Sequence, residues 1–212
     1  MSYVAKKFPS LNVNAMNEMG DTFSINVFEE AVKNKKKVLL FWYPKDFTFV
    51  CPTELHAFQE ALQEFEKRNT IVIGASCDTP EVHFAWLNTP KDNGGIEGIT
   101  YPIIADSNRN LSNILGILDI SEEKYNEDTD TYELIGDNVT FRATYLIDEE
   151  GKVFHESINH MPLGRSVGEF LRLVDAYSHF QVKGDVCPAN WEEGKKSMKP
   201  NAKDTADYLS SK

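Results

Sequence analysis

The run Val38-Leu39-Leu40-Phe41-Trp42-Tyr43 is apolar at every position. A strand with one face in water alternates, so a strand apolar throughout is covered on both faces and sits inside a sheet. The residues after it extend the argument. Pro44 marks a turn, and Leu55, Phe58, Leu62 and Phe65 then recur at three- and four-residue steps, the period of a helix that buries one stripe. A central strand leading through a turn into a helix is α/β architecture, which places its sites at the carboxyl ends of strands.

The rest of the chain keeps that alternation. Residues 70–76 hold Ile71, Val72 and Ile73 and read as a strand. Asp78-Thr79-Pro80-Glu81 reads as a helix start with an acidic first turn. That helix turns Val82, Ala85 and Trp86 inward and leaves His83 on its surface. Residues 88–98 hold Pro90, Gly94, Gly95 and Gly98 and read as loop. Residues 101–105 form a short strand and residues 110–115 a short helix. Residues 140–147 alternate around Phe141, Ala143, Tyr145 and Ile147, turn at 148–151, and return as a strand over 152–158, making a hairpin. Residues 165–179 carry Val167, Phe170, Leu171, Val174 and Tyr177 along one helical stripe. Past Phe180 the periodicity weakens, leaving an arm with one short terminal helix. The acidic segment 121–138 is long for a loop, and is either a surface excursion or a stretch whose elements the pattern hides. The expectation is one α/β domain with a mixed sheet over residues 1–180 and a C-terminal arm over 181–212.

The net charge is −11 at pH 7. This argues against nonspecific binding to nucleic acid or anionic membrane. No run approaches the roughly 18 apolar residues of a membrane span, and the first residues contain no signal-like apolar stretch, so a cytoplasmic location is expected. Three cysteines are too few for a disulfide-stapled secreted scaffold, and their odd number argues against simple structural pairing.

Cys51 has the best context for chemistry. A free thiol, with an ordinary pKa of about 8.5, is mostly protonated at neutral pH, and a helix N-terminus with a nearby cation favours the thiolate. Pro52 suits the first helical position, which puts Cys51 beside the unpaired amides of that turn. The cation is not local, since Lys45 is six residues upstream and expected to be exposed. Thr48 donates to the thiolate, or holds a substrate oxygen, or stabilises its own turn. Glu54 either receives hydrogen bonds within the site or simply suits a helix first turn. Cys187, in Gly184-Asp185-Val186-Cys187-Pro188, lies in an irregular segment suited to thiol–disulfide exchange, or is inert in a packed tail. Cys77, closing an apolar strand, reads as a buried structural thiol. The five histidines show no metal-binding spacing and the cysteines no close pair, so no metal is expected. There is no nucleotide fingerprint, and no other cofactor is expected.

These motifs together resemble the peroxiredoxins, and more narrowly the typical two-cysteine group that includes the peroxidase subunit of bacterial alkyl hydroperoxide reductase. The family pattern P-x-x-x-T-x-x-C is met by Pro44, Thr48 and Cys51 and continues through Pro52-Thr53-Glu54. Val186-Cys187-Pro188-Ala189-Asn190-Trp191 is similar to the resolving-cysteine segment. Phe141-Arg142-Ala143-Thr144 matches the strand carrying the family's active-site arginine. Leu163-Gly164-Arg165-Ser166 matches a second arginine near the site, and Trp86-Leu87-Asn88-Thr89-Pro90 is a further familiar stretch.

The resemblance implies a thioredoxin-like fold, a central mixed sheet flanked by helices, with an extended C-terminal arm. It implies that Cys51 is the peroxidatic residue, with Pro44, Thr48 and Arg142 at the catalytic centre and Glu54 and Arg165 in support. It also implies that Cys187 of the other subunit of a homodimer resolves the oxidised Cys51, that such dimers form decamers, and that thioredoxin or a dedicated flavoprotein disulfide reductase returns the electrons. Substrates would be hydrogen peroxide and organic hydroperoxides. A holdase chaperone on the same scaffold and a redox relay are the competing readings. Two departures stand out. The family's Gly-Gly-Leu-Gly is Gly94-Gly95-Ile96-Glu97-Gly98 here and its C-terminal Tyr-Phe is Tyr208-Leu209, which leaves sensitivity to overoxidation open. Segment 121–138 is also longer than the common pattern, which bears on ring assembly or reductase docking unless it is an inert surface loop.

Overall fold

The computed structural model describes residues 2–120 and 122–211. The chain forms two compact units, one ending at Arg165 and the other starting at Ser166.

The first unit is built on a seven-stranded sheet. Its strands are β1 (Val13–Met16), β2 (Thr22–Ile25), β3 (Lys37–Trp42), β4 (Thr70–Ser76), β5 (Ile103–Ala105), β8 (Arg142–Ile147) and β9 (Val153–Asn159). Their order across the sheet is β2-β1-β5-β4-β3-β8-β9. The β3/β4 and β4/β5 pairs are parallel and the others antiparallel, so the sheet is mixed. Five helices accompany it: α1 (Val27–Asn34), α2 (Cys51–Glu60), α3 (Leu62–Lys67), α4 (Pro80–Leu87) and α5 (Asn110–Leu115). Helix α1 packs on β3, α3 on β4, and α4 on β1 and β5. This is the thioredoxin-like α/β arrangement that the resemblance implies.

Strand β3 has the double covering its composition requires. Val38, Leu40 and Trp42 join one core cluster with Ile73, Ile104 and Tyr145. Of the residues that alternate with them, Phe41 stacks on Phe58 of α2 with ring centroids 4.1 Å apart. Burying side chains of this size contributes about 1.5–3 kcal/mol each, so β3 and the helices on it are held where the site needs them.

Strand β8 is not the alternating strand its sequence suggests. All six residues from Arg142 to Ile147 are buried, because β8 lies between β3 and β9. Thr140 stands before it in an isolated bridge to Leu118. The turn into β9 is closed by the Asp148 carboxylate, which accepts from the Glu150 and Lys152 amides. Gly151 takes φ +76° there, and a Cβ would meet the Phe28 ring at 2.3 Å. His83 on α4 is a clear correction: it is fully buried rather than on the surface, whereas Ala85, expected inside, is exposed. The burial of His83 is explained by its partners, described below.

Segment 121–138 is an excursion with structure of its own. Strands β6 (Glu122–Asn126) and β7 (Thr131–Ile135) pair antiparallel in a separate two-stranded sheet. Ser121 lies outside the described residues. The loop over residues 88–98 contains one turn of 3₁₀ helix, Lys91–Asn93.

The second unit holds α6 (Val167–Lys183) and α7 (Ala202–Ser210). Phe170 and Val174 are the buried members of the α6 stripe, and the helix runs past the expected end at 179 to stop where Gly184 adopts a left-handed cap. Between the helices, Val186 pairs with Met198 and the buried Trp191 indole donates to the Lys195 carbonyl. Asn201 caps α7 through the Asp204 amide. Among the described residues no helix is long and apolar enough to cross a membrane.

Candidate active site

The turn between β3 and α2 is pinned from both ends. Thr140 donates its hydroxyl to the Tyr43 carbonyl at 3.0 Å, and the Asp46 amide donates to the Asp78 carboxylate at 2.9 Å. Phe47 adopts φ +53°, a costly conformation for a bulky residue that lets the chain reverse into α2. Cys51 itself is the first helical residue, one position earlier than the sequence suggests, and Pro52 is the second. The Cys51 side chain is buried.

The cation absent from the local sequence is Arg142, at the start of β8. Its Nη1 donates to Cys51 Sγ at 3.3 Å and to Glu54 Oε2 at 2.6 Å, while its Nε donates to the Met161 carbonyl at 2.6 Å. Arg165 holds Glu54 from the other side. Its backbone amide and Nε donate to Oε1 at 2.9 and 2.8 Å, and its Nη2 donates to Oε2 at 2.8 Å. Arg165 Nη1 is spent on the carbonyls of Trp42 and Ala143 and the Thr144 hydroxyl, and its guanidinium lies 5.1 Å from the Phe41 ring centre. All three charged side chains are at most 4% exposed. Glu54 thus receives hydrogen bonds within the site rather than merely suiting a helix start. Two buried guanidiniums share one carboxylate, which leaves a net positive charge beside the sulfur in a medium where it is weakly screened.

Thr48 serves its turn and the site together. Its hydroxyl donates to the Lys45 carbonyl at 2.9 Å, leaving its oxygen able to accept a hydrogen bond from a guest molecule. Thr48, Pro44, Cys51 and Arg142 line one cavity of about 520 Å³. Val139, Met161 and Pro162 supply apolar wall, and the exposed Asp137 and Lys45 line it as well. Met161, Val139 and Asp137 carry no signal in the sequence, because each reaches the site from a loop.

A second buried network lies beneath the turn. His83 Nδ1 is 2.7 Å from Asp46 Oδ2 and its Nε2 is 3.2 Å from the Ile104 carbonyl, while Tyr43 donates to Asp46 Oδ1 at 2.8 Å. Burial alone would lower the His83 pKa, but the Asp46 hydrogen bond and charge outweigh it and raise the value above that of a free histidine. Burial also raises the Asp46 carboxyl, against the pull of His83. The loop 94–98 contacts the far side of α2: His56 meets the Gly95 carbonyl at 3.0 Å and Trp86 donates to the Gly94 carbonyl at 2.9 Å. A Cβ on Gly95 would lie 1.9 Å from the Thr89 carbonyl oxygen.

The other cysteines differ from Cys51. Cys187, in the second unit, is half-buried with Sγ 3.6 Å from the Ala176 carbonyl; burial raises its pKa and nearby Arg172 opposes that. Cys77 contacts Ser112, and burial pushes its thiol up to about 11. At pH 8 only about one molecule in a thousand would carry that thiolate. Cys77 is therefore expected to stay unlabelled by iodoacetamide at pH 8 in a Cys51→Ser/Cys187→Ser protein, as read by mass spectrometry. Cys77 is half-buried, and rapid labelling there would show that this burial does not hold the thiol protonated. Among the described residues no group of His, Cys, Asp and Glu side chains is placed to hold a metal ion.

The arrangement, a buried thiol at a helix start under an arginine in an open cavity, has close counterparts. Residues 4–156 match the AhpC/TSA family model. The chain belongs to the AhpC/TSA family. Residues 176–211, which include Cys187, match the C-terminal domain of 1-Cys peroxiredoxin. The chain is 40% identical to Helicobacter pylori alkyl hydroperoxide reductase C over 208 residues, covering 97% of this chain and 94% of that one. It is 42% identical to Bos taurus peroxiredoxin-2 over 175 residues, covering 82% and 80%. The reduced 2-Cys peroxiredoxin of Plasmodium vivax superposes with a TM-score of 0.86 at 38% identity, covering 99% of this chain and all of that one. This protein is accordingly a two-cysteine peroxiredoxin, an oxidoreductase with thiol peroxidase activity. In this peroxiredoxin the fold brings together four separate stretches: Arg142 bonds the Cys51 sulfur, and Glu54, the Met161 carbonyl and, through Glu54, Arg165 hold Arg142 in place.

Proposed function

We propose that Cys51 is the peroxidatic cysteine and reduces hydrogen peroxide and organic hydroperoxides. The observation that carries this is the Arg142 contact at 3.3 Å from Cys51 Sγ, on the floor of a cavity that Thr48 also lines. The thiolate sulfur bonds to the terminal peroxide oxygen and the O–O bond breaks. The departing oxygen takes up a proton to leave as water or an alcohol, and Cys51 becomes a sulfenic acid. Arg142 stabilises negative charge first on sulfur and then on the leaving oxygen, Thr48 accepts a hydrogen bond from the peroxide, and Pro44 shapes the turn. Glu54 and Arg165 position Arg142.

The Cys187 sulfur of a partner subunit then attacks the Cys51 sulfenic sulfur; the S–O bond breaks, an intersubunit Cys51–Cys187 disulfide forms, and the departing hydroxide takes the proton of the Cys187 thiol and leaves as water. Because Cys51 is buried inside α2, the first turn of that helix must open locally for the two sulfurs to meet. An external dithiol, thioredoxin or a dedicated flavoprotein disulfide reductase, reduces the bond. The working unit is a homodimer that assembles into decamers, with residues 181–212 acting as the arm that delivers Cys187. Three cysteines are too few for a disulfide-stapled secreted scaffold, and the reading takes the protein to work in the cytoplasm.

Oxidised native protein should migrate as a disulfide-linked dimer on a non-reducing gel, with the Cys51 and Cys187 peptides joined. Cys187→Ser protein should undergo one oxidation per subunit, form no linked dimer, and fail to turn over with thioredoxin, thioredoxin reductase and NADPH. Sustained dithiol-linked turnover by Cys187→Ser would remove Cys187 from the resolving role.

A further inference from the structure

The hairpin made by β6 and β7 ends beside the peroxide cavity. Its return leg is fixed there by a short ladder: the Asp119 amide donates to the Val139 carbonyl at 2.8 Å and the Asn138 amide donates to the Asp119 carbonyl at 3.3 Å. Arg109 Nε donates to the Asn138 carbonyl at 2.9 Å, and Thr140 ties the same strand to Tyr43, immediately before Pro44. Asp137 and Val139 therefore line the cavity on a leg held at several points. Val139 contributes apolar wall together with Met161 and Pro162. Asp137 is exposed, and its carboxylate makes no hydrogen bond or ion pair among the described residues, so its charge is not neutralised by a partner. The sequence around it reinforces the sign, with seven carboxylates and one lysine between Glu122 and Asp137. Lys45 and Arg142 are the opposing charges on the same cavity, Arg142 at its inner end and already paired with Glu54.

We infer that this hairpin selects substrates for the peroxidase site, with Asp137 admitting neutral alkyl hydroperoxides and disfavouring hydroperoxides that carry a carboxylate. The inference rests on the proposed reaction at Cys51. The cavity is far larger than hydrogen peroxide requires, and its apolar wall offers burial to an alkyl group. A carboxylate on that alkyl group would approach Asp137 and the acidic hairpin. At separations within the cavity, like charges in a partly solvated site repel enough to lower a bimolecular rate roughly three- to tenfold, and salt screens the effect.

The test compares a tertiary alkyl hydroperoxide bearing a terminal carboxylate with its methyl ester, measuring the rate of Cys51 oxidation in single-turnover stopped flow. Hydrogen peroxide is run alongside. The ester should react three- to tenfold faster than the carboxylate with native protein, and raising the salt to 0.5 M should narrow the gap by accelerating only the carboxylate, on the order expected for screening. Asp137→Asn should shrink the ratio and Asp137→Lys should bring it to one or below. Equal rates for ester and carboxylate in the native protein, with rapid oxidation by hydrogen peroxide, would overturn the selectivity while leaving the peroxidase reading intact. A ratio unchanged in both Asp137 variants would also overturn it. No reaction of Cys51 with hydrogen peroxide would overturn both.

Discussion

Cys51→Ser protein should consume no peroxide, and Arg142→Met protein should oxidise Cys51 about 10²–10³-fold more slowly than the native enzyme. The first loss is complete because no other thiol replaces Cys51: burial raises the Cys77 pKa to about 11, and among the described residues no cation is bonded to the Cys187 sulfur. The second loss follows from position. Arg142 is buried, donates to Cys51 Sγ, and is the group best placed to meet charge that moves from sulfur to the departing oxygen. Methionine keeps most of the volume and removes the charge. It does not leave Glu54 unpaired, since Arg165 retains three hydrogen bonds to that carboxylate. A folded variant with a slow reaction is therefore expected rather than an unfolded one. Arg142→Lys should recover only part of the rate, because one ammonium cannot reproduce the planar fork that reaches Met161, Glu54 and Cys51 together. Stopped-flow oxidation of the reduced proteins gives the rates, and near-ultraviolet circular dichroism checks the fold. An Arg142→Met rate within threefold of native would remove Arg142 from the chemistry.

What could be read in advance follows the range of the forces involved. Strand β4 and helix α5 were readable to the residue because an apolar run and its flanking turn residues are local signals. The Cys51 turn was readable for the same reason. The hairpin of β6 and β7 was not: it lies off the main sheet, its strands are mostly polar, and no core face marks their register. His83 failed differently. Its position on α4 suggests surface only because its partner, Asp46, is 37 residues away, and a buried histidine is unremarkable in sequence until that carboxylate is in view. Glu54 is separated by 88 residues from Arg142 and by 111 from Arg165. No periodicity relates them, so the resemblance named these arginines and only the fold gives the contacts.

The same triad gives the largest expected effect on stability. Glu54→Ala should destabilise the reduced protein by about 3–5 kcal/mol, because it leaves two buried guanidiniums without the carboxylate they share. For a chain of this size that lowers the midpoint of thermal unfolding by roughly 6–20 °C. Glu54→Gln separates charge from volume: the amide fills the space and keeps one carbonyl acceptor, but it puts N–H groups where Arg165 or Arg142 now donates. Most of the loss should persist. Arg165 retains the Trp42 and Ala143 carbonyls and the faces of Phe41 and Phe58, whereas Arg142 retains Met161 and the Cys51 sulfur. With Glu54 replaced, the Cys51 sulfur is the side-chain partner left to Arg142 Nη1, so removing both should cost more than the two single changes together. Neighbours that share a partner in this way show coupling of about 0.5–3 kcal/mol. Urea unfolding of native, Glu54→Gln, Cys51→Ser and the double variant at pH 8 measures it. A Glu54→Gln protein within about 1 kcal/mol of native would show that the carboxylate's charge is not what holds these arginines. Strict additivity would show that Cys51 and Glu54 do not share Arg142 electrostatically.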